Sequence, residues 1–386
     1  MHRFNQRIAS ALADRHEQGL YRTVSCLERG QDMSVQFREH SLLNFSSNDY
    51  LGLAQDSALI AAWQDGLSLY GAGSGASPLV TGFHSPHQYL QSQLADWLGF
   101  EQALLFSSGF SANQALLFAL LQEGDHLLQD KLNHASLIEA GMLSPATMRR
   151  FAHNDPSALS RLISRIPDTS PKLVVTEGVF SMDGDLSPLG DIARVCQQTG
   201  SMLAVDDAHG CGVLGESGRG SSDHAGIKPD ILVVTFGKAF GLQGAAVLCS
   251  NDVAEYLVQF ARHFIYSTAM PPAQAHALSK ACDMIQQDNW RREKLAALSE
   301  TLAVNLSPDV EVVDTQTPIK PLMVGSSERA VKFADKLRQR GLWVSAIRPP
   351  TVPANSARLR ITLTATHKDT EIRSLAQAIN EVWHEE

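Results

Sequence analysis

Ile231-Leu232-Val233-Val234-Thr235-Phe236-Gly237-Lys238-Ala239-Phe240-Gly241 places a lysine just beyond a short, unbroken apolar run. Such a run reads as a buried strand, with the lysine at its carboxyl end. An amine held off solvent there, near another cationic group, gives up its proton more readily, because burial and like charge both disfavour the ammonium. It becomes a nucleophile able to form a Schiff base. A phosphate-cradling loop of the Gly-x-x-x-x-Gly-Lys-Ser/Thr kind is excluded, since Leu232 stands where its first glycine belongs and Ala239 where its hydroxyl belongs.

Working outward, Met202-Leu203-Ala204-Val205 reads as a second buried strand and ends in Asp206-Asp207-Ala208-His209-Gly210. Ligands of open α/β sheets bind outside the carboxyl ends of the strands, so Asp206, His209 and Lys238 are expected to face one crevice. A carboxylate there can keep a heteroaromatic nitrogen protonated, as an electron-sink cofactor requires; a helix-capping aspartate and a core histidine are the alternative. Ala103-Leu104-Leu105-Phe106 turns through Ser107-Ser108-Gly109-Phe110-Ser111-Ala112-Asn113 into a helical run over 114–121. Backbone amides at a helix start bind phosphate, and small residues let it approach. Lys172-Leu173-Val174-Val175 runs into Thr176-Glu177-Gly178-Val179-Phe180-Ser181-Met182-Asp183-Gly184-Asp185, and Asp130-Lys131-Leu132-Asn133-His134-Ala135-Ser136 precedes a helical pattern. Both stretches bring polar side chains to a strand end. His134 can stack on a flat ring or simply occupy a surface or core position, and Ser181 is equally open.

Taken together, His134, the 176–184 stretch, Val205-Asp206-Asp207-Ala208-His209-Gly210 and Thr235-Phe236-Gly237-Lys238 resemble the α-oxoamine synthase family of fold-type I pyridoxal-phosphate enzymes. The resemblance extends from Asn44-Phe45-Ser46-Ser47-Asn48-Asp49-Tyr50-Leu51-Gly52-Leu53 to Arg358-Leu359-Arg360-Ile361-Thr362-Leu363. It implies a fold-type I PLP-dependent transferase, with a mostly parallel central sheet covered by helices and a smaller C-terminal α+β domain. It also implies roles. Lys238 would carry pyridoxal 5'-phosphate as a Schiff base, Asp206 would pair with the ring nitrogen, His209 would contact the ring oxygen and His134 would stack on the ring. Ser181 and Thr235 would complete the pocket. Gly109 and Phe110 would lie at the phosphate, joined by Ser267 and Thr268 of a second subunit, because family members are homodimers with shared active sites. Arg360, assisted by Asn48, would take the amino-acid carboxylate. Phe151-Ala152-His153-Asn154-Asp155, Ile265-Tyr266-Ser267-Thr268 and Ala346-Ile347-Arg348-Pro349-Pro350-Thr351-Val352-Pro353 most resemble the member that condenses L-alanine with a pimeloyl thioester in the biotin pathway. The thioester is that of pimeloyl-CoA or a pimeloyl-acyl carrier protein; Arg348 and Thr351 would line the substrate side, and Arg22 would meet the distal carboxylate. The alternatives are a relative that uses glycine and a different acyl-CoA, as 2-amino-3-ketobutyrate CoA ligase does, and a non-catalytic cofactor-binding protein of the same fold.

Composition is consistent with this reading. A chain of 386 residues that is 44% hydrophobic can bury a large core. The expected organisation is an N-terminal arm over 1–48, a large cofactor domain over 49–275 and a smaller domain over 276–386. A helix is expected near the start, a strand pair near 34–45, a long helical stretch over 273–305 interrupted at Gln286-Gln287-Asp288, and a closing helix from Asp369. Five cysteines without Cys-x-x-Cys spacing suit reduced thiols in a cytoplasmic protein. No run of 18 apolar residues suggests a membrane span, and a net charge of −9 argues against nucleic acid as a partner. Arg149-Arg150 and Arg291-Arg292 read as solvated faces. No metal site is expected: His84 and His87 have a ligand-like spacing but lack a carboxylate or cysteine partner nearby.

Overall fold

The apolar runs become strands of one seven-stranded sheet in the computed structural model, which describes residues 2–29 and 33–385. Across the sheet the order is Gln102–Phe106, Ala245–Cys249, Ile231–Thr235, Met202–Asp206, Lys172–Glu177, His126–Asp130 and Thr147–Phe151. The last five are mutually parallel, whereas Ala245–Cys249 runs antiparallel to both of its neighbours. Because successive side chains of a strand point to opposite faces, a sheet covered on both sides needs apolar residues at every position. Val174, Leu203, Val205, Leu232 and Val234 pack into one core, while Leu173, Val175, Ala204, Ile231 and Val233 pack into the other. Each of the valine, leucine and isoleucine side chains contributes about 1.5–3 kcal/mol of burial. The polar residues therefore collect where the strands end.

The helix expected over 114–121 begins earlier, at Gly109, and runs to Leu120. Ser108 and Ser111 explain the difference: Oγ of Ser108 accepts from the Ser111 amide, Oγ of Ser111 accepts from the Ser108 amide, and both bonds are 3.1 Å. This reciprocal cap compensates for the weak helix preference of glycine and serine. The long helical stretch is two helices, Pro272–Gln287 and Asn289–Asn305, broken at Asp288 as expected. Arg291 corrects its reading as a solvated residue. Its side chain is buried against Asp56 at 2.6 Å and Asp288 at 3.0 Å, and it also donates to the Leu51 carbonyl at 2.8 Å.

Beside the large sheet lies a three-stranded antiparallel sheet in the order Ile319–Gly325, Ala357–Thr362, Ser345–Ile347, backed by helices Ser327–Gln339 and Asp369–His384. A four-stranded sheet orders Glu28–Arg29, Ser34–Phe37, His40–Asn44 and Leu342–Trp343, so that the early hairpin pairs with a late strand. The stitching continues beyond the strands. Phe45 N–H donates to the Trp343 carbonyl at 2.9 Å, Thr362 N–H to Phe45 at 2.8 Å and Ala365 N–H to Tyr50 at 2.8 Å. Asn48 and Tyr50 are thereby seated beside the strand that carries Arg360. Helix Arg3–Glu17 has no buried residue, and among the described residues no helix is long and apolar enough to cross a membrane.

Candidate active site

Glu177 and Asp206 end adjacent parallel strands in register with one another, and Thr235 ends the next strand with Lys238 three residues beyond it. The strand ends open into a cavity of about 820 Å³. Lining it are Lys238, Asp206, His209, His134, Ser181, Thr235, Gly109, Phe110, Asn48, Arg360, Arg22 and Thr351. Twelve of the fifteen expected site residues thus share one space. The other three lie elsewhere. Arg348 donates to the Gly19 carbonyl at 3.2 Å, and Ser267 and Thr268 follow the helix Arg262–Ile265 outside the cavity, with Thr268 exposed.

Burial sets the protonation states. It pulls the Lys238 ammonium below its ordinary range; the charges of Asp206 and Glu177 oppose that shift and Arg360 adds to it. Lys238 Nζ has a weak bond to Thr235 Oγ1 at 3.3 Å, which leaves the amine available to the cavity. His134 is lowered by burial and by Lys238 against the pull of Asp206, and its Nδ1 lies 2.8 Å from Ser136 Oγ. His209 is driven well below its usual value by burial, then by Lys238, Arg360 and His134. Both rings are therefore neutral near pH 7.

Three residues that sequence reasoning gave no role support the site, Asn113 and Glu177 on its lining and Tyr50 buried behind it. Asn113 donates from Nδ2 to Asp206 Oδ2 at 2.7 Å and to Ser136 Oγ at 2.9 Å, holding the carboxylate from behind; Ala208 N–H donates to Oδ1 at 3.0 Å. Glu177 is raised well above the carboxylate range by burial and by the Asp206 charge, and its Oε1 is buried with no hydrogen-bond partner among the described residues. Tyr50 lies with its hydroxyl 2.7 Å from His209 Nδ1. The position of Asn113 one helical turn past Gly109 signals that it faces the site, provided the helix is started at Gly109. His87 is structural: its Nδ1 accepts from the His84 amide at 2.9 Å, and its Nε2 lies 2.8 Å from the Met270 carbonyl.

One wall is a strap, residues 181–185, that crosses from the large sheet to the small one. Arg360 Nε donates to the Ser181 carbonyl at 2.6 Å, Arg358 pairs with Asp183, and Thr317 Oγ1 donates to the Gly184 carbonyl at 2.9 Å. Gly184 sits at φ 68° with the Ile319 backbone so close that a Cβ would come within 2.7 Å of its oxygen, so two constraints favour glycine there. The far end of the strap is clamped by His153, whose Nδ1 lies 3.0 Å from Asp130 and Nε2 2.8 Å from Asp185. Burial alone would lower this histidine, but hydrogen bonds and the charges of both aspartates raise it to about 9.

A folded value of about 9 above an unfolded value near 6.5 means that the charged clamp stabilises fully below the unfolded value and loses its effect as pH rises through the folded one. With the side chain 20% exposed, the contribution is on the order of 2–3 kcal/mol. In urea unfolding, His153→Gln is expected to be less stable than the parent by that amount at about pH 6, and nearly equal to it above about pH 10. A stability gap that does not depend on pH would refute the charged clamp.

Whether the cavity suits pyridoxal phosphate is tested by its own geometry. The Ser108-Gly109 turn opens a helix of 12 residues on the cavity lining, and a Cβ on Gly109 would come within 2.5 Å of Thr235 Cγ2, so glycine is what lets the helix start, with its free backbone amides, pack against Thr235 at the cavity wall. A buried amine, a carboxylate held in place from behind and two neutral imidazoles line the same space. The donor set fits the group.

Comparison with known proteins agrees. Residues 40–379 match the family model described as aminotransferase class I and II. The chain is 65% identical to an 8-amino-7-oxononanoate synthase of Photobacterium profundum over 387 residues, covering 100% of this chain and 98% of that protein. Among solved structures, a serine palmitoyltransferase from S. paucimobilis with bound PLP-myriocin superposes with a TM-score of 0.92 at 26% identity, covering 98% of this chain and 97% of the other. An 8-amino-7-oxononanoate synthase from Francisella tularensis superposes with a TM-score of 0.75 at 32% identity, covering 89% and 98%.

Proposed function

The chain belongs to the 8-amino-7-oxononanoate synthase family of pyridoxal-phosphate-dependent acyltransferases, and on that premise we propose that it joins L-alanine to a pimeloyl thioester in biotin biosynthesis. The products are 8-amino-7-oxononanoate, carbon dioxide and free thiol. The observation that carries this reading is that one cavity holds both a lysine whose amine is readily deprotonated and a buried guanidinium already fixed in orientation.

Lys238 would hold the cofactor through Nζ, with Asp206 at its ring nitrogen, His209 at its ring oxygen and His134 on its face. Ser181 and Thr235 would complete the pocket, and the amides of Gly109 and Phe110 would receive the phosphate. Ser267 and Thr268 would be supplied by a second copy of the chain, in keeping with their position outside the cavity of their own. When bound, pyridoxal phosphate supplies a sink for the electron pair released at the alanine Cα.

The protein's own groups do the rest. Arg360 has Nε bound to the Ser181 carbonyl and Nη1 bound to Asn48 Oδ1 at 3.0 Å, so the plane of its fork is set before a carboxylate arrives. Lys238 Nζ, freed as the alanine amine takes its place and with its proton disfavoured by burial, would accept the Cα proton as general base. A carbon–carbon bond then forms between alanine Cα and the thioester carbonyl, and the carbon–sulfur bond breaks to release thiolate. The former carboxylate leaves as carbon dioxide, and a proton returns to the carbon. Arg22 and Thr351, on the lining, face the acyl chain, with Arg22 set to meet its distal carboxylate. Arg348 steadies this side through Gly19, three residues before Arg22.

Thiol release by the cofactor-loaded protein tests the reading, comparing pimeloyl-CoA plus L-alanine with pairs that substitute glycine or acetyl-CoA. Fast release with the alanine and pimeloyl pair alone, giving the decarboxylated amino ketone by mass, is the expected result. Preference for glycine or for a shorter acyl group would overturn the substrate assignment while keeping the chemistry of Lys238.

A further inference from the structure

We propose that Tyr50 is a positioning residue that holds His209 with Nδ1 as a hydrogen-bond acceptor and couples that choice to anion binding at Arg360. Tyr50 is fully buried, and its hydroxyl lies 2.7 Å from His209 Nδ1, 3.3 Å from Asn48 Oδ1 and 3.4 Å from Arg360 Nη2. A buried hydroxyl must be satisfied, and it has one proton to donate and two lone pairs to offer. Guanidinium only donates, so Arg360 takes a lone pair of the tyrosine oxygen.

The single proton then goes to His209 or to Asn48. Distance favours His209, 2.7 against 3.3 Å, and Asn48 Oδ1 already accepts from Arg360 Nη1 at 3.0 Å. His209 Nδ1 is therefore bare and Nε2 carries the proton. Among the described residues no protein group is recorded as a partner of Nε2, although the ring lines the cavity, so its N–H is left to serve whatever occupies the site. Burial and the cations Lys238 and Arg360 keep the ring neutral, which this assignment requires.

The same contacts connect two sites. Donation from Arg360 polarises the tyrosine O–H and makes it a better donor to His209. An anion that engages Arg360 competes for Nη2, loosens that donation and weakens the hold on the His209 ring. Coupling of this kind is reciprocal, so a change at the His209 end must alter carboxylate affinity at the Arg360 end. The identity of that carboxylate as alanine's rests on the proposed function; the tautomer of His209 does not.

The experiment is nitrogen NMR of the holoenzyme carrying 15N-labelled histidine, with the His209 signals identified by their loss in His209→Gln. In the parent protein His209 is expected to show a bare Nδ1 and a protonated Nε2; in Tyr50→Phe the Nδ1-protonated form should appear as well. L-alanine titrated without thioester should bind Tyr50→Phe about five- to tenfold more tightly than the parent, because Arg360 Nη2 no longer has the tyrosine oxygen to compete with the carboxylate, on the scale of one hydrogen bond in a charged network. A protonated Nδ1 in the parent would overturn the proposal, even if Tyr50→Phe fails to fold, as would a spectrum that Tyr50→Phe leaves unchanged. An altered tautomer with unchanged alanine affinity would overturn the coupling. A parent protein that binds no alanine would sink the substrate assignment alone, with the tautomer still deciding the role of Tyr50.

Discussion

Lys238→Ala is expected to fold, to take up pyridoxal phosphate without a covalent bond and to lose turnover by about 10⁴-fold or more. A positioned general base contributes roughly 10²–10⁴-fold, and loss of the covalent hold on the cofactor is added to it. Folding should survive because among the described residues the Lys238 amine makes only the 3.3 Å hydrogen bond to Thr235, and because its removal takes a cation out of a buried site. Two measurements check this. Borohydride should trap cofactor on the parent at the peptide containing Lys238 and trap none on Lys238→Ala, and single-turnover kinetics should show the rate loss. Residual turnover within tenfold of the parent would remove Lys238 from the mechanism.

Asp206→Asn should lower kcat by about 10²–10³-fold, the usual cost of removing one preorganised electrostatic partner, while changing alanine affinity less than about threefold. The substitution keeps the shape and removes the charge. It also disturbs the bonds behind the carboxylate. Asp206 accepts from Asn113 Nδ2 and from Ala208 N–H, and an amide placed there can offer only one acceptor atom. Either Asn113 turns over or two donors face each other. Steady-state kinetics with L-alanine, together with a cofactor titration of the apoprotein, separate the two effects: kcat reports the lost charge and cofactor affinity reports the disturbed pocket. A kcat within threefold of the parent would show that the Asp206 charge is not what the reaction uses.

How much of this was legible in the sequence depended on how local each signal is. Strands such as Ile231–Thr235 and Met202–Asp206 are continuous apolar runs that end in polar residues, and both the sheet and the residues at its carboxyl edge follow from that pattern. Thr147–Phe151 is harder to read, because at the sheet edge its arginines can stay wet and interrupt the apolar pattern. The helix start at Gly109 was hidden by residues of low helix propensity whose cap depends on side-chain geometry. Arg291 was misread because its partner Asp56 lies 235 residues away. Tyr50 illustrates the same limit within the site. Its hydroxyl meets a histidine 159 residues later and an arginine 310 residues later, separations that no periodicity encodes.

The stitching of the early residues onto the late strands gives the molecule an order of assembly on the ribosome. Roughly 315 residues separate Tyr50 from Ala365, which anchors it, and at about 5–20 residues per second that interval lasts some 15–60 s. Through that time the seven-stranded sheet can form, because its strands end at Cys249, and Lys238 and Asp206 can take their places at its edge. Asn48 and Tyr50 meanwhile have no seat, since Trp343, Thr362 and Ala365 have not been made. The sheet edge that carries Lys238 and Asp206 thus precedes, in order of synthesis, the strands that seat Asn48 and Tyr50, so residues 45–50 wait on partners made about three hundred residues later.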